Sequence, residues 1–400
     1  MSAKFNATTG FIHLASHCIL KNLEEPYLYD IENDELYELS SDAFQFLLRC
    51  SQGESPPVRK EDEEFIQYCL SQHLVAPSEI PMQRKTFPNP SPIPSLRYLE
   101  LQMTDRCNLR CRHCYIGDGL YQDLSIEQIQ KVLKEFEEIQ GLRLLLSGGE
   151  PLLHPYFWEI NDILRDQAFR SVLLSNGTSI TRDVSRRLRV HEVQISLDGM
   201  KEGHESLRGK GNFEKTLTAI DTLQEAGITV SIATMIHRRN LEEFAQLASL
   251  LESKNITEWN VDVPCIEGRL KENRELWVSP SVAGPFLNYG YGGGLHLSKN
   301  NATCGAHLCA ILPNGRVAKC GLFGQEAVGS IEEGLRICWE RIPRILLRDL
   351  SCNCVEIEAC RGGCRYRAKI HGGLFQPDPF QCYARGVLKG GEEDDDQEGS

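Results

Sequence analysis

The chain has 400 residues, 41% hydrophobic and 25% charged, with a net charge of −13. These proportions describe a globular protein of two or three domains and exclude a fibrous or wholly disordered chain. The acidic balance argues against nucleic acid as the main partner, and no run of about 18 apolar residues exists to span a membrane.

The opening Met1-Ser2-Ala3-Lys4-Phe5-Asn6 lacks the apolar core of a secretion signal, so a cytoplasmic home is expected. Sixteen cysteines in such a chain point to metal or redox chemistry, not to disulfides. Three crowd together at Cys107, Cys111 and Cys114. Eight more form spaced groups between Cys304 and Cys382. Cys18, Cys50, Cys69, Cys265 and Cys338 are scattered and read as buried thiols.

In chain order, residues 1–80 read as a small separate module. Short strands are expected at 17–20, 27–30 and 36–39, with Glu32-Asn33-Asp34 as a turn. Ser40 or Ser41 can cap a helix carrying Phe44, Phe46, Leu47 and Leu48, and a second helix is expected over 61–74. Strands followed by helices suggest a winged helix. Residues 81–94 read as a proline-rich linker.

Residues 95–290 read as the core domain, and from about 95 to 268 strands and helices alternate. Strands are expected at 97–103, 142–148, 170–176, 192–198, 229–236 and 257–263, with helices over 125–140, 213–226 and 240–253. Ser125 and Gln128 make a capping box for the first of these helices. Ile126, Ile129, Val132, Leu133, Phe136 and Ile139 give it one apolar face. Six strand–helix units predict an α/β fold whose parallel sheet curls into a partial barrel, with chemistry at the strands' C-terminal ends. Residues 291–386 are rich in cysteine and glycine and need a staple, for which metal is the expected one. Residues 387–400 carry the acidic run Glu392–Asp396 and read as a disordered solubilising tail.

The chemistry begins at the end of the first core strand. Cys107, Cys111 and Cys114 are spaced C-x3-C-x2-C, three thiolates for a site that ordinarily takes four ligands. One metal corner is left for something other than protein. The second core strand runs into Gly148-Gly149-Glu150-Pro151, where glycines permit close approach to the backbone and Glu150 offers a carboxylate to an ammonium. The third strand ends in Ser175-Asn176-Gly177 and the fourth in Ser196-Leu197-Asp198-Gly199, each a turn signal with a hydrogen-bonding residue at the strand's end.

On these residues the stretch 95–268 resembles the radical S-adenosyl-L-methionine (SAM) superfamily. The resemblance implies that Cys107, Cys111 and Cys114 ligate a [4Fe–4S] cluster whose open iron binds SAM. It implies that Gly148, Gly149 and Glu150 hold the methionine amino group, that Tyr115 lies near the adenine, and that Ser196 reaches the ribose. Arg208 is expected to pair with the SAM carboxylate or, alternatively, to be an exposed surface arginine. A 5′-deoxyadenosyl radical would then abstract hydrogen from an unactivated carbon.

The C-terminal cysteines resemble a SPASM domain with two auxiliary [4Fe–4S] clusters. Carried over by position, Cys304, Cys309, Cys320 and Cys364 would hold the first, and Cys352, Cys354, Cys360 and Cys382 the second. The pair Cys352 and Cys354 departs from that pattern, with one intervening residue where two are usual. A zinc ribbon is the alternative. Residues 1–80 resemble the leader-recognition element of ribosomal-peptide-modifying enzymes, which adds a peptide as an extra strand; a plain N-terminal cap on the barrel is the alternative.

The leading expectation is therefore an oxidoreductase that modifies a precursor peptide bearing a leader, forming a thioether, a carbon–carbon cross-link or another oxidative linkage. Its electron donor would be a flavodoxin or ferredoxin. A sulfatase-maturating enzyme is the second reading, opposed by Gly321 where that family carries an aspartate after the third SPASM cysteine. A radical SAM enzyme of tetrapyrrole or cofactor biosynthesis is the third. Asp198, Asp262 and Cys265 sit at strand ends without an assigned role, and no general base stands out.

Overall fold

The computed structural model describes residues 11–54, 62–294, 296, 302–303 and 305–389. Cys304 and nearly all of the acidic tail, both singled out from the sequence, lie outside the described residues.

The N-terminal module contains β1 (Phe11–Leu14), β2 (Cys18–Asn22), β3 (Pro26–Asp30), β4 (Glu35–Glu38), α1 (Ser41–Ser51), α2 (Glu63–Ser71) and β5 (Val75–Ser78). Strands β2, β3 and β4 form an antiparallel meander in that order, and β1 pairs with β5. The meander and both helices match the sequence expectation. Ser40 caps α1 by accepting from the Ala43 amide. Strands β1 and β5 were not foreseen: each is four residues long, and Pro77 interrupts β5. Leu14, Leu20, Leu28, Leu47, Ile66 and Leu74 pack into the module's own core.

The module is seated on the barrel by buried polar contacts. Lys21 Nζ donates to the carbonyls of Gly141 and Ala168 at 2.8 and 2.7 Å. Arg170 reaches the Ile31 carbonyl at 2.9 Å, and Arg97 pairs with Glu24 at 2.6 Å. Each buried charge thus has a partner, as burial demands. The linker is tied down too: Trp339 donates to the Pro94 carbonyl at 2.7 Å, and Gln140 to that of Asn89 at 2.7 Å.

The core sheet comprises β6 (Tyr98–Thr104), β7 (Arg143–Gly148), β8 (Arg170–Ser175), β9 (Glu192–Ser196), β10 (Thr229–Met235) and β11 (Trp259–Asp262), all parallel and each beside the next. Between them run α3 (Ile126–Glu138), α4 (Phe157–Leu164), α5 (Arg182–Arg187), α6 (Lys201–Arg208), α7 (Phe213–Glu225) and α8 (Phe244–Ser253). The capping box forms at α3 as expected, the Gln128 amide donating to Ser125 Oγ and the Ser125 amide to Gln128 Oε1. Ile129, Val132, Leu133 and Phe136 of α3 are buried against the outward side chains of β6 and β7, including Leu99, Leu101, Leu144 and Leu146. Burying one such side chain stabilises by about 1.5–3 kcal/mol.

The cysteine-rich segment continues this sheet. Strand β12 (Leu308–Ile311) pairs in parallel with the free edge of β6, and β13 (Arg316–Ala318) and β14 (Gly329–Ser330) follow antiparallel. Nine strands therefore form one open sheet in the order β11-β10-β9-β8-β7-β6-β12-β13-β14. No helix of the described residues is long and apolar enough to cross a membrane.

A cysteine-lined candidate active site

The loop after β6 carries the three clustered cysteines and is pinned by two acids. Asp105 accepts from the amides of Leu120 and Gln122 at 2.7 and 2.8 Å. Asp123 accepts from Thr104 Oγ1 at 2.6 Å and pairs with Arg106 at 2.8 Å. Within the loop Cys111 is buried, Cys114 half-buried and Cys107 exposed as a residue. Burial around its sulfur, followed by the nearby Glu150 carboxylate and the other two thiols, pushes Cys107 up to about 11. No disulfide joins the described cysteines. Burial raises Cys111 as well, and three neighbouring thiols are a donor set suited to a cationic metal centre, which would stabilise them as thiolates.

The end of β7 folds tightly over this loop. The Gly149 amide donates to the Thr104 carbonyl and the Glu150 amide to that of Arg106, both at 2.8 Å. A Cβ on Gly148 would lie 2.1 Å from the Thr104 oxygen, and one on Gly149 would lie 2.3 Å from the Arg106 oxygen. Glycine is therefore required here by the approach of one strand end to another, a reason nearer than the ligand contact expected from sequence.

Glu150 is completely buried. Its two oxygens accept from Ser175 Oγ and from the Asn176 amide, each at 2.9 Å. Burial, only partly offset by these bonds, pushes Glu150 up to about 7. The carboxylate thus knits the end of β7 to that of β8. Asn176 in turn reaches Asn108 of the cysteine loop at 2.9 Å. The first three strand ends are joined by one hydrogen-bonded path.

Arg208, at the end of α6, is half-buried, its side chain 11% exposed, and does not stand free on the surface. It pairs with Asp198, and its Nη1 stands 3.8 Å from Cys111 Sγ. Burial alone would raise Asp198, but the adjacent Arg208 holds it well below the ordinary carboxylate range. Asp198 also accepts from the Met235 amide at 2.8 Å, joining the end of β9 to that of β10. Ser196 lies half-buried at the end of β9. Tyr115 leaves part of its ring exposed while its hydroxyl receives Gln102 Nε2 at 2.9 Å.

Several site residues escaped the sequence reading. Arg269 holds the loop from the far side, its amide donating to the Cys114 carbonyl at 3.0 Å and its guanidinium to that of Cys111 at 3.3 Å. No signal in its surroundings marks it. Glu100 and Gln102 face the barrel lumen from β6. Their signal was present: polar residues at alternate positions of an otherwise apolar parallel strand.

The C-terminal cysteines separate into groups. Cys352, Cys354, Cys360 and Cys382 line one small cleft. The one-residue spacing of the first pair suits this, because residues two apart on an extended segment face the same way. Cys320 and Cys364 neighbour each other elsewhere, near the lumen. Cys309 does not join them. It is fully buried in the apolar core, opposite Leu99 in register and near Cys338 and Arg344. The sequence grouping of Cys309 with Cys320 and Cys364 is therefore not reproduced, because strand alternation turns Cys309 to the outer face of the sheet. Cys18, Cys50, Cys69, Cys265 and Cys338 are all buried, as expected. Asp262, unassigned from sequence, pairs with Arg367, which Asp378 also holds at 2.9 Å.

A parallel partial barrel with three cysteines on the loop after its first strand defines a class of iron–sulfur enzyme. Residues 101–251 match the family model of the radical SAM superfamily. The chain is 30% identical over 326 residues to the mycofactocin maturase MftC of Mycolicibacterium smegmatis, covering 70% of this chain and 81% of that one. It is 28% identical over 345 residues to the AdoMet-dependent heme synthase of Methanosarcina barkeri, covering 72% and 97%. Among solved structures, Streptococcus suis SuiB bound to its precursor peptide SuiA aligns with a TM-score of 0.67 at 13% identity, over 92% of this chain and 99% of that one. Native anSMEcpe with bound AdoMet aligns with a TM-score of 0.57 at 18% identity, over 72% and 94%. The protein belongs to the radical SAM superfamily, and with that family come SAM and a [4Fe–4S] cluster.

Proposed function

We propose that this protein is a peptide maturase that forms an oxidative linkage in a ribosomally made precursor. The observation that carries the reading is the module in front of the barrel. It presents β4, whose outer edge pairs with no strand among the described residues, on a body fixed to the barrel by Lys21, Glu24 and Ile31. An exposed strand edge is the usual acceptor for an extended peptide. Similarity to MftC supports the same reading.

In this reading residues 1–80 dock the leader, 81–94 link, 95–290 carry the radical SAM site and 291–386 the auxiliary clusters. Cys107, Cys111 and Cys114 hold the catalytic cluster, and their mutual proximity fits that donor set. When bound, SAM and this cluster supply hydrogen-atom abstraction from an unactivated carbon. The chain's own residues position and enclose. The backbone of Gly148 and Gly149 takes the SAM amino group, with Glu150 holding that turn rigid through Ser175 and Asn176. Arg208, kept charged and oriented by Asp198, meets the SAM carboxylate. Tyr115 flanks the adenine and Ser196 the ribose.

Cys352, Cys354, Cys360 and Cys382 hold one auxiliary cluster, supported by their shared cleft. Cys320 and Cys364, with Cys304, hold the other, and the place of Cys309 in the apolar core supports leaving it out. A flavodoxin or ferredoxin supplies electrons in the cytoplasm. The heme-synthase match, which spans 97% of that relative, favours a tetrapyrrole substrate as the second reading. Anaerobic co-expression with each short reading frame beside the gene separates the two. The maturase reading expects a peptide lighter by two hydrogens per linkage; turnover of an iron porphyrin with every peptide unchanged would replace it.

A further inference from the structure

The lumen of the barrel contains a carboxylate with no cationic partner among the described residues. Glu100 lies on β6 between Leu99 and Leu101, which face the outer core, so its side chain faces inward. Its Oε1 accepts from Gln102 Nε2 at 2.9 Å and Ser147 Oγ at 3.3 Å, and its Oε2 from the Gly321 amide at 3.3 Å. All three donors are neutral, and no lysine, arginine or histidine pairs with Glu100 among the described residues. Glu150 likewise has only neutral donors, but three other interior carboxylates have cationic partners. Asp198 pairs with Arg208, Glu192 with Arg170 and Asp378 with Arg367.

The position matters as much as the charge. Glu100 stands between the two halves of the site. On one side Gln102 links it to the hydroxyl of Tyr115, the residue after Cys114. On the other it holds the amide that follows Cys320. Position 321 is glycine, and a Cβ there would lie 3.2 Å from Glu100 Oε1 and 2.7 Å from the Tyr115 hydroxyl. These spacings leave no room for a side chain at 321, and glycine there lets the backbone amide reach the carboxylate. A half-buried carboxylate at the lumen, with fixed neutral donors and no counter-cation among the described residues, can act as a base toward a bound substrate.

The geometry points to Glu100 as the proton acceptor for bond closure in the bound peptide. This inference rests on the maturase reading above. Closing one new bond removes two hydrogens from the peptide. One leaves as a hydrogen atom taken by the adenosyl group of SAM. The other leaves as a proton, received by Glu100, and an electron, received by an auxiliary iron–sulfur cluster as oxidant. The new bond replaces the two bonds to hydrogen, and the balance closes once the flavodoxin- or ferredoxin-type donor supplies the one electron that cleaves SAM into methionine and the adenosyl group.

The test uses the reconstituted full-length enzyme and a fluorescein-labelled synthetic peptide copying the short reading frame beside the gene. Three quantities are read for wild type, Glu100→Gln and Glu100→Asp: the Kd for the peptide by anisotropy, 5′-deoxyadenosine formed, and linked peptide formed. For Glu100→Gln the expected result is a Kd within twofold of wild type, continued 5′-deoxyadenosine formation, and linked peptide reduced at least tenfold. Glu100→Asp, which keeps a carboxylate, should recover part of that loss. Linked peptide at the wild-type level in Glu100→Gln overturns the assignment. So does no recovery in Glu100→Asp. A tenfold rise in Kd that accounts for the lost product also overturns it, since Glu100 would then be an anchor for a cationic side chain. If the wild type binds and links no such peptide, the maturase reading itself fails and takes this inference with it.

Discussion

The guanidinium of Arg208 stands 3.8 Å from the sulfur of Cys111 and is held there by a buried ion pair with Asp198. One cation therefore faces both Cys111 and a fully buried carboxylate. Removing either member leaves the other charged and buried, which costs about 3–5 kcal/mol. Asp198→Asn should lower the melting temperature and weaken SAM binding together. Calorimetry with and without SAM checks this; an unchanged melting temperature would mean that Arg208 finds another partner.

Gly149→Ala tests the seam between β7 and the cysteine loop. Its Cβ would stand 2.3 Å from the Arg106 oxygen and 2.7 Å from the Arg106 carbonyl carbon, both backbone atoms that cannot swing away. The loop must shift, so iron retention after anaerobic reconstitution should fall at the Cys107, Cys111 and Cys114 site, and SAM affinity with it. Iron analysis and SAM binding measure both.

The fold was legible in the sequence where the signals were local. The six core strands and α3 follow from apolar runs and from a capping box carried by Ser125 and Gln128. The strand-end residues Glu150, Ser175, Asn176 and Asp198 were recognised as a group, but their partners were not. Glu150 was read as a ligand-binding carboxylate, yet both of its oxygens are taken by β8. Pairing between strands far apart in sequence leaves no local trace. Nothing in Leu308–Ile311 announces its partnership with β6, more than two hundred residues earlier. Cys309 shows the consequence: its spacing suits a ligand, while its strand register turns it into the apolar core.

That register yields a prediction about cluster content. Cys309→Ala should leave the iron content unchanged and cost about 1 kcal/mol of stability, as small core truncations do. Cys364→Ala should lose one cluster's share of iron. Iron quantified per chain in the two variants decides the matter; equal losses would return Cys309 to the ligand set.

Lys21 gives the seat of the N-terminal module a pH dependence. Burial lowers it from 10.5 to about 7, the nearby Glu137 carboxylate only partly opposing. Its folded value lies below its unfolded value, so the unfolded chain binds more protons between about pH 7 and pH 10. Stability should therefore rise with pH across that window, by at most about 1.4 kcal/mol per unit. Lys21→Met should abolish the rise while leaving the Gly141 and Ala168 carbonyls without their donor, at about 1–3 kcal/mol. Melting temperatures of both proteins at several pH values measure it.

The central claim is that the site around Cys107, Cys111 and Cys114 acts on a peptide delivered by the module in front of it. Its most direct test is tandem mass spectrometry of the short peptides encoded beside the gene, after anaerobic incubation with reconstituted enzyme, SAM and a reductant. The account predicts one peptide lighter by two hydrogens per linkage, with the change lost when the three cysteines are replaced by alanine. Abundant 5′-deoxyadenosine with every peptide unchanged would contradict it.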